Sequence, residues 1–184
     1  ARSLRLVMAH ALTAVRLALI APIATGFARP DLIGATVLTC LLCLAIATDV
    51  IDGRVARATG TESATGQVFD HTTDCLFVTS GLVGAALIDQ MPWALPALVV
   101  TAFAQYVLDS YFLHQQKHLR MSTIGRWNGI LYFVPLVILA SARLPLFSIL
   151  EPFLRTSATF LAYGLVISTL VSIADRALAP RVAE

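Results

Sequence analysis

The chain has 184 residues, 58% of them hydrophobic and 13% charged, with a mean hydropathy of +0.80. That balance excludes an ordinary soluble globular domain and identifies an integral membrane protein. The net charge of +2 comes from thirteen scattered basic residues, with no basic run interleaved with aromatics, so nucleic acid is excluded as a partner.

Residues 1–9 are basic and partly apolar, which predicts a short interfacial helix ahead of the first span. Arg2 and Arg5 precede apolar sequence as in a signal peptide, but His10 and Arg16 interrupt the run and no cleavage site follows, so the segment reads as structure. Span 1 covers His10 to Phe27 and carries Arg16, which either snorkels or aims at an anionic group in a polar cavity. Ala28 to Asp31 forms a turn, with Pro30 suited to opening the next helix. Span 2 runs from Leu32 to Thr48 and delivers Asp49 and Asp52 at its far end; Ala58 to Thr65 is a small, polar connection. Cys40 and Cys43 spell a CxxC inside this apolar span and, with Cys75, read as buried small hydrophobes.

Span 3 extends from Gly66 to Ile88, with Asp70 and Asp74 in its first turns and Gly81, Gly84 and Ala85 for close helix contact. His71 points about 100° from Asp70 around the axis, which favours an interface hydrogen bond over metal ligation. Span 4 covers Trp93 to His114 and includes Asp109, placed either to pair with a cation or to shape a pocket. The polar loop from Gln115 to Arg126 holds Lys117 and Arg120, which serve either as positive-inside anchors or as an anion site. Span 5 runs from Trp127 to Ala142 beside a GxxxG at Gly125 and Gly129, Arg143 to Arg155 is a loop, and span 6 runs from Thr156 to Ala174. The expected fold is all-α, with six transmembrane helices in a single domain over residues 1–184. Nine basic residues fall on the side of the termini against three on the other, which places the Asp cluster toward the cytoplasm.

Asp49 to Asp74 reads D-x2-D-G-x2-A-R-x8-G-x3-D-x3-D. On a helix, Asp52, Gly53 and Ala56 fall within about 60° of Asp49, so one face carries two carboxylates and two small residues. Gly66, Asp70 and Asp74 step by four and share a stripe on the following helix. Each Asp costs roughly 2.5–3.5 kcal/mol at the bilayer centre, so four together require neutralisation. Hard carboxylate oxygens suit Mg2+, Mn2+ or Ca2+, and a pair of ions fits phosphoryl-transfer chemistry. Arg57 adds a planar cation suited to phosphate.

At every defining position this run resembles the signature of the CDP-alcohol phosphotransferase (phosphatidyltransferase) family, and Leu12 to Arg16 resembles the first-helix L-T-x-x-R pattern of its bacterial members, with Ala9-His10 where a Pro-Asn pair often stands. The resemblance, closest to phosphatidylglycerophosphate and phosphatidylinositol phosphate synthases, implies that Asp49, Asp52, Asp70 and Asp74 hold two divalent ions, Mg2+ or Mn2+. Asp74 would touch the second ion or act as general base. Gly53, Ala56, Arg57 and Gly66 would line the cytidine and phosphate pocket, while Lys117, Arg120 and Arg16 are the acceptor candidates.

The implied reaction moves a phosphatidyl group from CDP-diacylglycerol to a small alcohol, releasing CMP, in a homodimer in the bacterial cytoplasmic membrane. Lys117 and Arg120 tilt the acceptor toward a phosphorylated polyol. A CDP-choline or CDP-ethanolamine type acting on diacylglycerol is the alternative within the family. A cation transporter would use the acidic cavity but needs neither the arginine nor the space of D-G-x2-A-R. Intramembrane prenyltransferases also hold diphosphate on Asp-rich helices, but they resemble larger proteins with two separated motifs.

Overall fold

The computed structural model describes the backbone of residues 2–59, 64–108 and 123–178, and side chains within 13–51, 68–108 and 123–178. It is all-α, with no strand among the described residues. In chain order the helices are α1 (Arg2–Ala28), α2 (Ala35–Thr59), α3 (Ala64–Ala86), α4 (Ala94–Leu108), α5 (Thr123–Leu131), α6 (Phe133–Ala142) and α7 (Glu151–Leu178).

The N-terminal helix is not separate from the first span. Nothing between Arg2 and Ala28 breaks the helix before Pro22, and α1 continues through that proline as one rod. Pro30 does not open α2 either. The amides of Leu32 and Ile33 both bond back to the Arg29 carbonyl, at 3.0 and 3.4 Å, which commits the chain to a turn. The Gly34 carbonyl accepts the first helical bond, from Leu38 at 3.0 Å, and α2 starts at Ala35. In the same turn Arg29 donates to Asp31, and this bond holds the exposed Asp31 carboxyl below its usual range.

The end of α3 is a Schellman turn. The Gln90 amide reaches the Ala85 carbonyl at 3.0 Å and the Asp89 amide reaches Ala86 at 3.1 Å, with Asp89 itself at φ 57°. α5 and α6 form one rod broken at Tyr132, because Pro135 has no N–H for the carbonyl of Leu131 and its ring crowds that carbonyl. The expected loop from Arg143 to Arg155 is mostly helical. A 3-10 turn over Pro145–Leu150 runs into α7, which begins at Glu151 with Pro152 tolerated in its first turn.

α1 packs on α2 and α3, and α7 packs on α4, α5 and α6, with contacts of α3 on α4 and α2 on α6 joining the two halves. Ile23, Phe27, Phe77, Leu82, Leu95 and Leu136 are fully buried where these helices meet. The exterior is also apolar: Ile149, Leu146 and Phe160 are 92%, 84% and 75% exposed, the reverse of a soluble protein. Cys40 and Cys43 lie on this outer face instead of in the core. The rods Thr123–Ala142 and Pro145–Leu178 are long and apolar enough to cross a membrane.

Close approach of α1 and α3 depends on glycine. A Cβ on Gly84 would lie 2.5 Å from the Ala24 carbonyl oxygen and 3.0 Å from Phe27 Cβ, and one on Gly81 would meet Leu136 Cδ1 at 2.9 Å. Gly84→Ala is therefore expected to destabilise the bundle by about 1–3 kcal/mol, since backbone must yield. A detergent melt would read this as a lowered Tm. Gly129 is the control: a Cβ there meets nothing within 4 Å among the described residues, so Gly129→Ala should melt like the wild type. On the side of the α1–α2 turn, Arg143 donates to the carbonyls of Gly26 and Phe27 and to Gln90 Oε1 at 2.8, 3.1 and 3.1 Å, tying the ends of three helices.

Candidate active site

α2 and α3 each present carboxylates at the end of the bundle remote from Arg143, and α1 inserts Arg16 behind them. Asp70 and Asp74 are one helical turn apart on α3, so both face α1 and α2 together. Arg16 Nη1 lies 2.9 Å from Asp49 Oδ1 and also donates to Asp74 Oδ1, while Nη2 donates to Asp70 Oδ1 at 2.7 Å. A planar fork of donors suits this work, because one rigid group reaches carboxylates on two helices.

The Arg16 side chain is 1% exposed, whereas those of Asp49, Asp70 and Asp74 are 36%, 32% and 24% exposed. The arginine is the rear wall and the carboxylates are the front. All three line a cavity of about 860 Å³, and Arg16 does not. Arg16 was expected among the acceptor contacts; here its guanidinium engages the three acids. The Thr48 hydroxyl bonds the Ala45 carbonyl at 2.8 Å and the Thr73 hydroxyl the Phe69 carbonyl at 2.9 Å, each within its own helix.

With the carboxylates ionised, three negative charges against the one positive charge of Arg16 leave a formal excess of −2. A partly buried excess of that size calls for a cation. Asp70 and Asp74 each carry a second oxygen besides the one engaged by Arg16, and hard carboxylate oxygens are a donor set that fits a divalent ion. Asp70, His71 and Asp74 each offer a ligand atom, and these lie within 4.8 Å of one another. The wheel angle had turned His71 away from Asp70, yet the ring lies on the cavity wall, tilted at 57° against Tyr106 with centroids 6.2 Å apart.

The rest of the cavity lies between α3, α4, α5, α6 and α7. Val78, Val99, Phe103 and Phe133 make its apolar walls, and Arg126 and Arg176 contribute cations. The Arg176 guanidinium sits over the Tyr106 ring, 5.1 Å from its centroid. Gln105 Nε2 bonds the Ile173 carbonyl at 3.1 Å and Ser168 Oγ bonds Asn128 Oδ1 at 2.7 Å, so α7 is held by polar links to α4 and α5. Arg126, Arg176 and Tyr106 were not among the expected site residues. The signal for the two arginines was their place at span ends on the acidic side.

Asp49, Asp70 and Asp74 are thus brought together with Arg16. Asp52, Gly53, Ala56 and Arg57 belong to α2 and Gly66 to α3, but their side chains lie outside the described residues, as do Asp109, Lys117 and Arg120 altogether.

Searches of curated proteins and of solved structures found no match. A family model does match: CDP-alcohol phosphatidyltransferase, over residues 6–173, a range that includes the whole Asp49 to Asp74 signature and the helices that carry Arg16, Arg126 and Tyr106. With nearly the full chain matched, and Asp49, Asp70 and Asp74 of the signature gathered on one cavity wall, this chain belongs to the CDP-alcohol phosphatidyltransferase family.

Proposed function

We propose that this protein transfers the phosphatidyl group of CDP-diacylglycerol to a phosphorylated small polyol, releasing CMP. The family is enzymatic and membrane-integral, and it generally uses divalent metals. The observation that carries the reading is a single cavity with Asp49, Asp70 and Asp74 on one wall and Arg126 and Arg176 also lining it. One region suits a cation-bridged diphosphate and the other suits a second anion, the phosphate of the acceptor. An acceptor without phosphate, as in the aminoalcohol branch, gives those two arginines no anion to bind. The six rods are read as six membrane crossings of one domain spanning residues 1–184, with the acidic end toward the cytoplasm because basic residues predominate there. A bacterial membrane and a homodimer follow from the family resemblance.

Asp49, Asp52, Asp70 and Asp74 would hold the divalent ions, Mg2+ or Mn2+, with Arg16 behind Asp49, Asp70 and Asp74. Bound there, such ions neutralise charge on the pyrophosphate and on the departing phosphate. The acceptor hydroxyl oxygen forms a bond to the phosphorus that carries diacylglycerol, the bond from that phosphorus to the pyrophosphate bridging oxygen breaks, and CMP leaves with that oxygen. Asp74, on the cavity wall, accepts the hydroxyl proton. Arg16 keeps Asp49, Asp70 and Asp74 at fixed separations, so little reorganisation accompanies the reaction. The apolar walls keep water from competing with the alcohol. Gly53, Ala56, Arg57 and Gly66 are assigned to the cytidine and its phosphates, and Lys117 and Arg120 to the acceptor side.

The test is to incubate purified protein with CDP-diacylglycerol, a divalent ion and a panel of alcohols, then identify the lipid by mass. A phosphorylated polyol should give product and CMP in equal amounts; product from choline, ethanolamine or serine alone would refute the acceptor assignment. Arg176→Ala should raise the acceptor KM about 10- to 100-fold, the loss of one charge-assisted contact, while the KM for CDP-diacylglycerol changes less than about threefold.

A further inference from the structure

We propose that His71 is an additional ligand of the divalent-ion site and that it shifts the site's preference from Mg2+ toward first-row transition ions, Mn2+ among them. The inference rests on the metal reading above and adds to it a neutral nitrogen donor outside the four aspartates. Its first support is distance. The ligand atoms of Asp70, His71 and Asp74 lie within 4.8 Å of one another. Two atoms on opposite sides of one ion at about 2.2 Å are about 4.4 Å apart, so small side-chain rotations would bring all three onto one ion.

The second support is charge. Asp49, Asp70 and Asp74 with Arg16 leave a formal −2, which one divalent ion cancels. A neutral imidazole raises the coordination number without adding charge to the carboxylates already assigned to the site. Third, the ring is on the cavity wall with its neighbours' carboxylates and is steadied by Tyr106 from α4, yet has no hydrogen-bond partner among the described residues. A polar ring placed this way has a use for its nitrogen. The consequence for selectivity follows from ligand softness: carboxylate and water suit Mg2+, while imidazole binds transition ions more strongly.

Pulsed electron paramagnetic resonance of Mn2+ added to the full chain in lipid nanodiscs reads this directly. The expected result is a 14N modulation on bound Mn2+ that changes to the 15N pattern when the protein is made with 15N-histidine, and that is lost in His71→Asn. In the same variant the Kd for Mn2+ should rise about tenfold or more and that for Mg2+ less than about threefold, by titration calorimetry. Mn2+ bound without nitrogen modulation in the wild type overturns the role of His71 and leaves the carboxylate site standing. Modulation that persists in His71→Asn assigns the nitrogen to another histidine and equally overturns it. Absence of any Mn2+ binding, with Asp70→Asn behaving like the wild type, would remove the metal site itself. The labelling experiment needs no variant, so a poorly folding His71→Asn does not protect the proposal.

Discussion

Asp70→Asn is expected to reduce CMP release by at least about 10²- to 10³-fold while the protein still folds and inserts, because a metal-dependent phosphoryl transfer draws several kcal/mol from charge neutralisation at the site. The substitution keeps the shape of the side chain and a carbonyl oxygen that can accept from Arg16 Nη2, now 2.7 Å from Asp70 Oδ1. What changes is charge. The formal excess of the described cluster falls from −2 to −1, and one hard anionic ligand is lost. Divalent-ion affinity should fall with it, so part of the activity returns at high Mn2+ if binding is the main loss and none returns if ligand geometry is. Excess chelator should silence the wild type and restored metal should revive it. Gel filtration and a detergent melt near the wild-type values separate this outcome from misfolding. Full turnover by the wild type in excess chelator would end the metal reading.

Much of this site was legible because its spacing is short-range. Steps of four from Gly66 to Asp70 to Asp74 must share a face on any helix, and Asp49 must lie at the same end of the bundle when a brief polar connection joins α2 to α3. Tertiary placement was not legible in the same way. Whether Arg16 snorkels or turns inward depends on α1 lying against both α2 and α3, and the close approach of α1 to α3 depends on Gly84 meeting the Ala24 carbonyl. The wheel gives only the direction of Cβ, so it did not show that the His71 ring would lie on the cavity wall against Tyr106. Arg176 is more than a hundred residues from the signature, and only the packing of α7 on α4 brings it over Tyr106. The helix boundaries moved for local reasons: Gly34 displaced Pro30 as the opening of α2, and Pro145 and Pro152 started helical turns where a loop was expected.

Arg16→Met should weaken both the fold and the chemistry, and the two losses should respond differently to added metal. Removing one partner of a fully buried ion pair costs about 3–5 kcal/mol, but here the carboxylates are a quarter to a third exposed, so hydration offsets part of it and about 2–3 kcal/mol is expected. For a chain of this size that is a Tm lower by roughly 5–10 °C. Arg16→Lys should recover only part of the loss, since one ammonium cannot reproduce the fork that meets Asp49, Asp70 and Asp74 together. Without the arginine the described cluster carries −3 and should take divalent ions more avidly, so millimolar Mn2+ should raise the Tm of the variant more than that of the wild type. Activity should not follow. Metal can replace the missing charge but not the fixed spacing of the three acids, and kcat should stay at least about tenfold below the wild type even at saturating metal. An Arg16→Met protein with wild-type Tm and wild-type kcat would show that the guanidinium braces nothing, and that the carboxylates hold their places by helix packing alone.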